Sequence, residues 1–184
     1  MSKLRRAWAD ASHALFESGV YEEKDDHLDL LRQNKWAWAI GKDEDYCGHT
    51  HAVSGQFVGD HLHPSMCVQV EVQPKLRQRT IPSTLRLDGR GPEGTAPEPD
   101  FAHPDPWDIE KGDLFTVGDG ASGSHICMAL GAPAPDGRIP TIEGNSTGTR
   151  ADGSFGRGVV KKSRHTREVK RVHRFLEAHF TQWT

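Results

Sequence analysis

The sequence predicts an α+β fold in which helices at the N-terminal end accompany a small antiparallel β-sheet in the C-terminal half. Three short apolar runs are separated by turns that carry glycine and proline, a pattern typical of antiparallel strands: residues 111–115, 124–131 and 141–146. Near the N-terminus, apolar residues recur instead at helical spacing. The 184 residues are enough for one domain, 1–184, with a core of its own.

The N-terminal segment, residues 1–35, is predicted to be helical. Apolar side chains recur four, three and four positions apart, at Leu4, Trp8, Ala11 and Leu15. This spacing predicts a helix over residues 3–17, which Gly19 ends. A second short helix is predicted over residues 27–33, where leucines give one apolar side.

The rest of the chain predicts further strands around one long excursion. Residues 65–72 end in alternating apolar and polar side chains and predict a strand. Residues 74–106 contain seven of the eleven prolines, so we interpret them as a surface excursion and not as a domain boundary. Residues 156–164 predict another strand, and the apolar positions of 169–180 fit a strand or a helix. The basic run 161–174 fits a solvated face, with an anionic-polymer site as the alternative.

Composition excludes several classes of function. The net charge is −3, so no global positive field attracts nucleic acid or an anionic membrane surface. No run approaches the roughly 18 apolar residues of a membrane span, and the N-terminal segment is too polar for a signal peptide. The three cysteines are not closely spaced, which argues against a disulfide framework or a zinc ribbon and favours synthesis in a reducing cytosol. We expect no cofactor.

Cys47 is the candidate nucleophile. An apolar stripe downstream of it predicts a helix that begins near Asp45, a residue type favoured at the N-cap. Cys47 then lies in the first turn, where backbone N–H groups and the helix dipole stabilise a thiolate. We interpret the other cysteines, Cys67 and Cys127, as small buried apolar residues.

A candidate base and its orienting group follow in the C-terminal half. Glu143 and Asn145 lie two apart on a predicted strand, and side chains at that spacing share one face of a sheet. Either can therefore accept a hydrogen bond from an imidazole on a neighbouring strand, which His125 supplies. A thiol, a base and a group that orients the base are the parts that cysteine catalysis requires. Cys127 shares its strand face with His125 and could line the same site.

The order and local sequence of these residues resemble the CHAP family, the cysteine- and histidine-dependent amidohydrolases/peptidases of cell-wall lysis, which are related to NlpC-type peptidases. The similarity covers about residues 36–175. The matching motifs are Tyr46-Cys47-Gly48, Lys111-Gly112-Asp113-Leu114-Phe115, the strand from His125 to Gly131, Ile142-Glu143-Gly144-Asn145, and a later strand that ends in Arg164.

This resemblance implies a papain-like fold, with N-terminal helices and a nucleophile helix packed on the sheet. It implies hydrolysis of an amide bond in peptidoglycan peptides, with Cys47 as nucleophile and His125 as base and then acid. Glu143 would orient the histidine, Asn145 would support or replace Glu143, and Tyr46 would contact the substrate. We expect a protein made in the cytoplasm without a signal peptide. It would reach the wall through a holin, as a phage endolysin, or through a secretion system, as an amidase effector that an immunity protein could neutralise.

Three features depart from the family pattern, and one of them is that the closing segment lacks the family's usual glycine. Bulky apolar residues usually follow the family's cysteine, whereas this chain has His49, Thr50 and His51. Cys47 and His125 are also unusually far apart in the chain, a separation that the proline-rich excursion can absorb.

Other interpretations of individual residues stay open. Trp36 and Trp38 fit the core or the wall of a substrate groove. Two His-x-His pairs could bind zinc: His49, His51, His61 and His63. Three acids before the cysteine fit an N-cap and a solvated turn, or a calcium loop like those of some CHAP lysins: Asp43, Glu44 and Asp45.

Three interpretations of the whole chain compete with wall hydrolysis. The first is a non-catalytic binding or phage structural module with a CHAP-like fold. The second is a metal-dependent hydrolase that uses the paired histidines. The third is a papain-like hydrolase that acts on another acyl substrate, in protein or lipid, because a fold alone does not fix the substrate.

Overall fold

The computed structural model describes residues 3–24, 26, 50–51, 68–70, 79–81, 102–119 and 125–174. These residues form helix α1 (Lys3–Glu17) and strands β1 (Val68–Val70), β2 (Arg79–Ile81), β3 (Leu114–Val117), β4 (His125–Ala129), β5 (Arg138–Thr149), β6 (Phe155–His165) and β7 (Arg171–His173). Strands β3 to β7 make one antiparallel sheet in the order β6-β5-β4-β3-β7, while β1 and β2 pair separately. This architecture agrees with the predicted α+β class. None of the helices in these ranges has the length and apolar composition needed to cross a membrane.

Helix α1 covers the range that the apolar spacing predicts. Gly19 follows it at φ +74°, with its N–H bonded to the Phe16 carbonyl, which is the left-handed ending that glycine favours. The buried face differs from the predicted one. Ala11 is only half-buried, whereas Ser12 is fully buried together with Leu15 and Phe16. The large Phe16 ring extends the buried stripe to one side, so the small Ala11 lies at its edge.

Most of the predicted strands are present. The three apolar runs form β3, β4 and β5, and the predicted run 156–164 forms β6. Strand β1 lies within the predicted strand 65–72. Strand β7 shows that residues 169–180 begin with a strand.

The interpretation of residues 74–106 as a surface excursion stays a prediction, but the range contains one strand that the sequence analysis did not predict. Strand β2 lies inside this range and pairs with β1, Val68 opposite Ile81. The many prolines concealed a short β-branched pair, Thr80 and Ile81, that favours a strand. The second predicted helix, residues 27–33, lies outside the described residues.

One face of the five-stranded sheet packs against α1. Directly paired residues of adjacent strands share a face, and Leu114, Met128 and Ile142 form such a row. Ile142 packs in one buried cluster with Leu15 and Phe16, so this row faces the helix.

The opposite face carries a second buried cluster and His125. Phe115 pairs with Cys127 and with Val172, and all three belong to this cluster. His125 pairs with Val117 of the same cluster and lies two residues before Cys127. The candidate base therefore begins β4 on the face that is turned away from α1.

The Lys-Gly-Asp element before β3 joins α1 to the sheet. Gly112 has φ +85°, and a Cβ there would overlap the Arg5 carbonyl oxygen and lie 2.6 Å from Arg5 Cγ. Asp113 is fully buried and accepts hydrogen bonds from Arg174, 2.6 Å from Nη2 and 3.1 Å from Nε. Arg5 Nη1 lies 3.5 Å from the same carboxylate. One buried anion thus links the helix, this loop and the end of β7.

The basic residues of 161–174 are spread over both edges of the sheet, because β6 and β7 are its two outer strands. Three of these cations are paired with acids of other elements: Lys161 with Glu17, Arg164 with Glu143, and Arg174 with Asp113. These pairings do not favour an anionic-polymer site, because the three cations already contact acids of the fold. Arg164 and Arg174 are also mostly buried, so they do not belong to a solvated face.

Replacing Gly112 by alanine should destabilise the protein by about 3 kcal/mol, because the new Cβ adds a backbone clash to the cost of a left-handed φ. Gly153 is the matched control, since its φ is +81° and nothing lies within 4 Å of an added Cβ. Gly153→Ala should cost only about 1 kcal/mol. Urea unfolding measures both variants. Equal losses would contradict the close approach of Arg5 to this loop.

Candidate active site

The structure brings His125 and Glu143 together on adjacent strands. Nε2 of His125, at the start of β4, lies 2.8 Å from Oε2 of Glu143 in β5. The register of these strands pairs Met128 with Ile142, and its continuation by one residue sets Cys127 opposite Glu143. His125 is then the diagonal neighbour of Glu143 on the adjacent strand. Long side chains can span the distance between diagonal neighbours.

Glu143 is fully buried, and its two oxygens accept five hydrogen bonds. Oε1 accepts from Arg164 Nε at 2.8 Å and from Thr141 Oγ1 at 2.9 Å. Oε2 accepts from Arg164 Nη2 at 2.6 Å, from His125 Nε2 at 2.8 Å and from Ser146 Oγ at 3.1 Å. Burial alone would raise the pKa of this carboxyl. The hydrogen bonds and charge of Arg164, together with His125, outweigh burial and hold the pKa of Glu143 well below its usual range.

The ionised state of Glu143 fixes the tautomer of His125. A carboxylate accepts hydrogen bonds and donates none, so the proton between the two residues belongs to Nε2 of the histidine. In a neutral imidazole the lone pair is then on Nδ1. His125 therefore presents Nδ1 as the atom that can take up and return a proton.

Asn145 does not share the face of Glu143. The pairing of β5 with β6 shifts its register between Glu143 and Ser146, so β5 carries an extra residue in a bulge. Asn145 lies in this bulge at φ +50°, and its Oδ1 accepts a hydrogen bond from Arg157 Nη2 at 2.8 Å. Ser146, three positions after Glu143, is the residue whose hydroxyl donates a hydrogen bond to the Glu143 carboxylate. The bulge shifts the strand alternation by one residue, so a spacing of two does not by itself put Asn145 on the face of Glu143. The role of Asn145 in supporting or replacing Glu143 stays a prediction.

Arg164 is the site residue to which sequence reasoning gave no role. It lies in β6, in register with Ile139 of β5, and its guanidinium grips both oxygens of Glu143. The contact with Glu143 raises the pKa of Arg164 further above its ordinary value. A signal was available, since a carboxylate that becomes buried on a strand needs a cation or several donors nearby.

Residues 50–51 lie beside the His125–Glu143 pair. Both residues are helical and fully buried, and Trp8 Nε1 of α1 donates to the His51 carbonyl at 2.7 Å. The His51 ring is close enough to His125 and Glu143 to feel their charges. Burial, with repulsion from His125, lowers the pKa of His51 to about 4, so this ring is neutral at pH 7.

Within the described part of the chain, one group of metal-binding side chains converges: donor atoms of His125, Cys127 and Glu143 lie within 4.8 Å of one another. Glu143 does not suit a cation, because the Arg164 fork and three further donors already occupy its oxygens. The guanidinium charge would also repel a metal ion. Cys127 is a buried thiol of the apolar cluster, as the strand alternation predicts.

The remaining predicted site residues lie outside the described ranges: Cys47, Tyr46, Trp36, Trp38, Asp43, Glu44, Asp45, His49, His61 and His63. Their roles as nucleophile, substrate contacts, calcium loop and zinc ligands stay predictions. Of the paired histidines, the structure describes His51, whose ring is buried beside the candidate base.

Acid unfolding should separate two buried groups by pH. The pKa of His51 is lowered by folding, so the unfolded chain binds this proton first and stability should fall as pH drops from 6.5 towards 4. The pKa of Glu143 is also lowered, so its contacts contribute above pH 4.5 and are lost progressively below that value. Glu143→Gln should remove this fall in stability below pH 4.5. It should also lower the free energy of unfolding at pH 7 by about 3–5 kcal/mol, because Arg164 keeps a shielded charge without its partner.

Urea unfolding at a series of pH values measures both windows. His51→Gln should reduce the fall in stability between pH 6.5 and 4 without abolishing it. The buried His173, whose pKa burial lowers to about 3, contributes to the fall over the same range. His13→Gln, at a half-buried position on α1, is the control that should leave this fall unchanged. The same slope in His51→Gln and in the unsubstituted protein would contradict the burial of a neutral His51.

Known proteins supply no template for this site. No family model, curated protein or solved structure matches the chain. Its function is therefore inferred from the residues and from their geometry.

Proposed function

We propose that this protein is a cysteine peptidase or amidase of papain-like fold that hydrolyses an amide bond in peptidoglycan peptides, in the manner of the CHAP family it resembles. The observation that carries the proposal is the pair of His125 and Glu143, in which a buried carboxylate binds Nε2 and leaves Nδ1 as the base. A base oriented in this way supports thiol catalysis with Cys47 as the proposed nucleophile.

The short chain separation between Cys47 and His51 supports this proposal. Cys47 is four residues before His51, whose buried ring lies beside His125. Four residues span at most about 14 Å even when fully extended. The helical state of Thr50 and His51 supports the prediction of a helix that begins just before Cys47.

In this proposal Nδ1 of His125 takes the proton of the Cys47 thiol, and the thiolate attacks the amide carbonyl. The backbone N–H of Cys47 and one further donor hold the oxyanion. Nδ1 then passes the proton to the leaving amine, and a water molecule activated by the same atom hydrolyses the thioester. Glu143 stabilises the imidazolium in both half-reactions, because an anionic acceptor does so more strongly than a neutral amide.

The wall substrate and its setting are part of the same proposal. The chain would act after delivery by a holin, as an endolysin, or by a secretion system, as an effector. A papain-like hydrolase of another acyl substrate would keep the same Cys47 and His125 chemistry without releasing wall peptides. A non-catalytic module would show neither activity.

Cys47→Ala should lower the rate of wall hydrolysis by about 10³-fold or more, because the nucleophile is lost while the fold stays intact. The measurement is mass analysis of muropeptides released from purified peptidoglycan. Cys127→Ala is the matched control, since this thiol lies within 4.8 Å of donor atoms of His125 and Glu143 but should not be the nucleophile. It should keep most of the activity, as should Cys67→Ala.

Chemical inhibition gives an independent check on the same assignment. Iodoacetamide should inactivate the protein, and chelators of zinc or calcium should not. A wild-type rate in Cys47→Ala would overturn the nucleophile, and activity lost to a chelator and restored by zinc would favour the histidine pairs. Restoration by calcium would instead support the predicted acidic loop.

Glu143→Ala should lose more activity than Asn145→Ala, because Glu143 contacts His125 whereas the Asn145 side chain contacts Arg157. Glu143→Gln should move the acidic limb of the pH–rate profile to lower pH, since the imidazolium loses its anionic partner. Initial rates across a pH series measure both effects. A greater loss in Asn145→Ala, with an unshifted profile in Glu143→Gln, would reverse the assignment towards a Cys-His-Asn site.

A further inference from the structure

The carboxylate at the centre of the site is held by a cation from the neighbouring strand. Arg164 of β6 binds the two oxygens of Glu143 through Nε at 2.8 Å and Nη2 at 2.6 Å. The Arg164 side chain is 18% exposed and that of Glu143 is 0% exposed, so water screens this pair little. A planar guanidinium in two-pronged contact fixes the plane of a carboxylate, which the single ammonium of a lysine cannot do.

We propose that Arg164 is a positioning residue for the base: by clamping both oxygens of Glu143 it keeps this buried carboxylate ionised and fixed in orientation, and so holds His125 with its proton on Nε2 and its lone pair on Nδ1. Arg164 acts on the histidine only through Glu143. The inference rests on the proposed function, in which Nδ1 of His125 is the base.

The other groups around the carboxylate do not supply this charge directly. Thr141 and Ser146 donate hydrogen bonds but are neutral. Lys162 Nζ lies 3.2 Å from Ser146 Oγ, one hydrogen bond further from the carboxylate. His51, from the segment beside β4, is neutral at pH 7.

Two further described groups lie near the Glu143–Arg164 pair. The Cys127 thiol lies within 4.8 Å of donor atoms of both His125 and Glu143. On the outer side, Glu168 Oε1 lies 3.8 Å from Arg164 Nη1, a longer contact than those that Arg164 makes with Glu143. Among the described residues, Arg164 is therefore the permanent cation in direct contact with Glu143.

The clamp determines how tightly the site holds a proton. A buried negative charge without a cation is costly, so Glu143 without Arg164 would bind a proton itself or draw one onto His125. Either event makes the His125–Glu143 pair take up its proton at higher pH. The base would then be occupied at neutral pH, whereas the guanidinium charge lets His125 release that proton.

Nitrogen-15 NMR titration of the histidine rings tests this inference in a Cys47→Ala background, where the nucleophilic thiol cannot titrate. Arg164→Met should raise the midpoint of proton uptake by the His125–Glu143 pair by about one pH unit, a tenfold gain in proton affinity. Arg164→Lys should give an intermediate midpoint, because lysine restores the charge but only one contact. Arg157→Met, an arginine lost from the same strand, is the control and should leave the midpoint unchanged.

Two results would overturn the inference. The first is a folded Arg164→Met protein whose midpoint equals that of the control, since the arginine would then serve only stability. The second result applies if Arg164→Met does not fold. In that case, an Arg164→Lys protein with the same titration midpoint as the control would overturn the inference. The titration reads the resting histidine and not hydrolysis. A shifted midpoint in a protein that releases no wall peptides would therefore support the clamp and contradict the proposed function.

Discussion

The burial of the Glu143 carboxylate is the constraint that the described site is built to satisfy. A charge removed from water needs donors, and three adjacent strands supply them: His125 from β4, Thr141 and Ser146 from β5, and Arg164 from β6. The register of these strands therefore determines the geometry of the site. A one-residue slip of β4 or β6 would turn its donor to the face that packs on α1.

A second buried carboxylate is also held by an arginine, but it has a different role. Asp113 is also fully buried and is held by Arg174, with Arg5 of α1 beside it. This carboxylate ties α1 and the end of β7 to the loop before β3. The Lys-Gly-Asp and Glu-Gly-Asn elements therefore each place a buried acid. Asp113 holds elements together, and Glu143 orients a titratable ring.

Local patterns in the sequence were enough for α1, for β3 to β6 and for the meeting of His125 with Glu143. Periodicity and strand alternation are properties of neighbouring residues, so the sequence displays them directly. The bulge that turns Asn145 away depends on how β6 pairs with β5, and the contact of Arg164 depends on the same pairing across a hairpin. Neither the bulge nor the Arg164 contact can be inferred from the sequence of one strand alone. Strand β2 was not predicted, because its β-branched pair, Thr80 and Ile81, lies within a range rich in proline.

The ion pair with Arg164 changes the electrostatic effect of Glu143 on His125. A lone carboxylate would bind the imidazolium as a full negative charge, whereas a neutral amide offers only a dipole. Glu143 with its guanidinium lies between these limits, because the pair is nearly neutral when seen from His125. Removing Glu143 leaves a cation beside the ring, and removing Arg164 leaves an anion. The two losses should therefore move the midpoint of proton uptake at the site in opposite directions, a difference in sign that a purely orienting hydrogen bond does not produce.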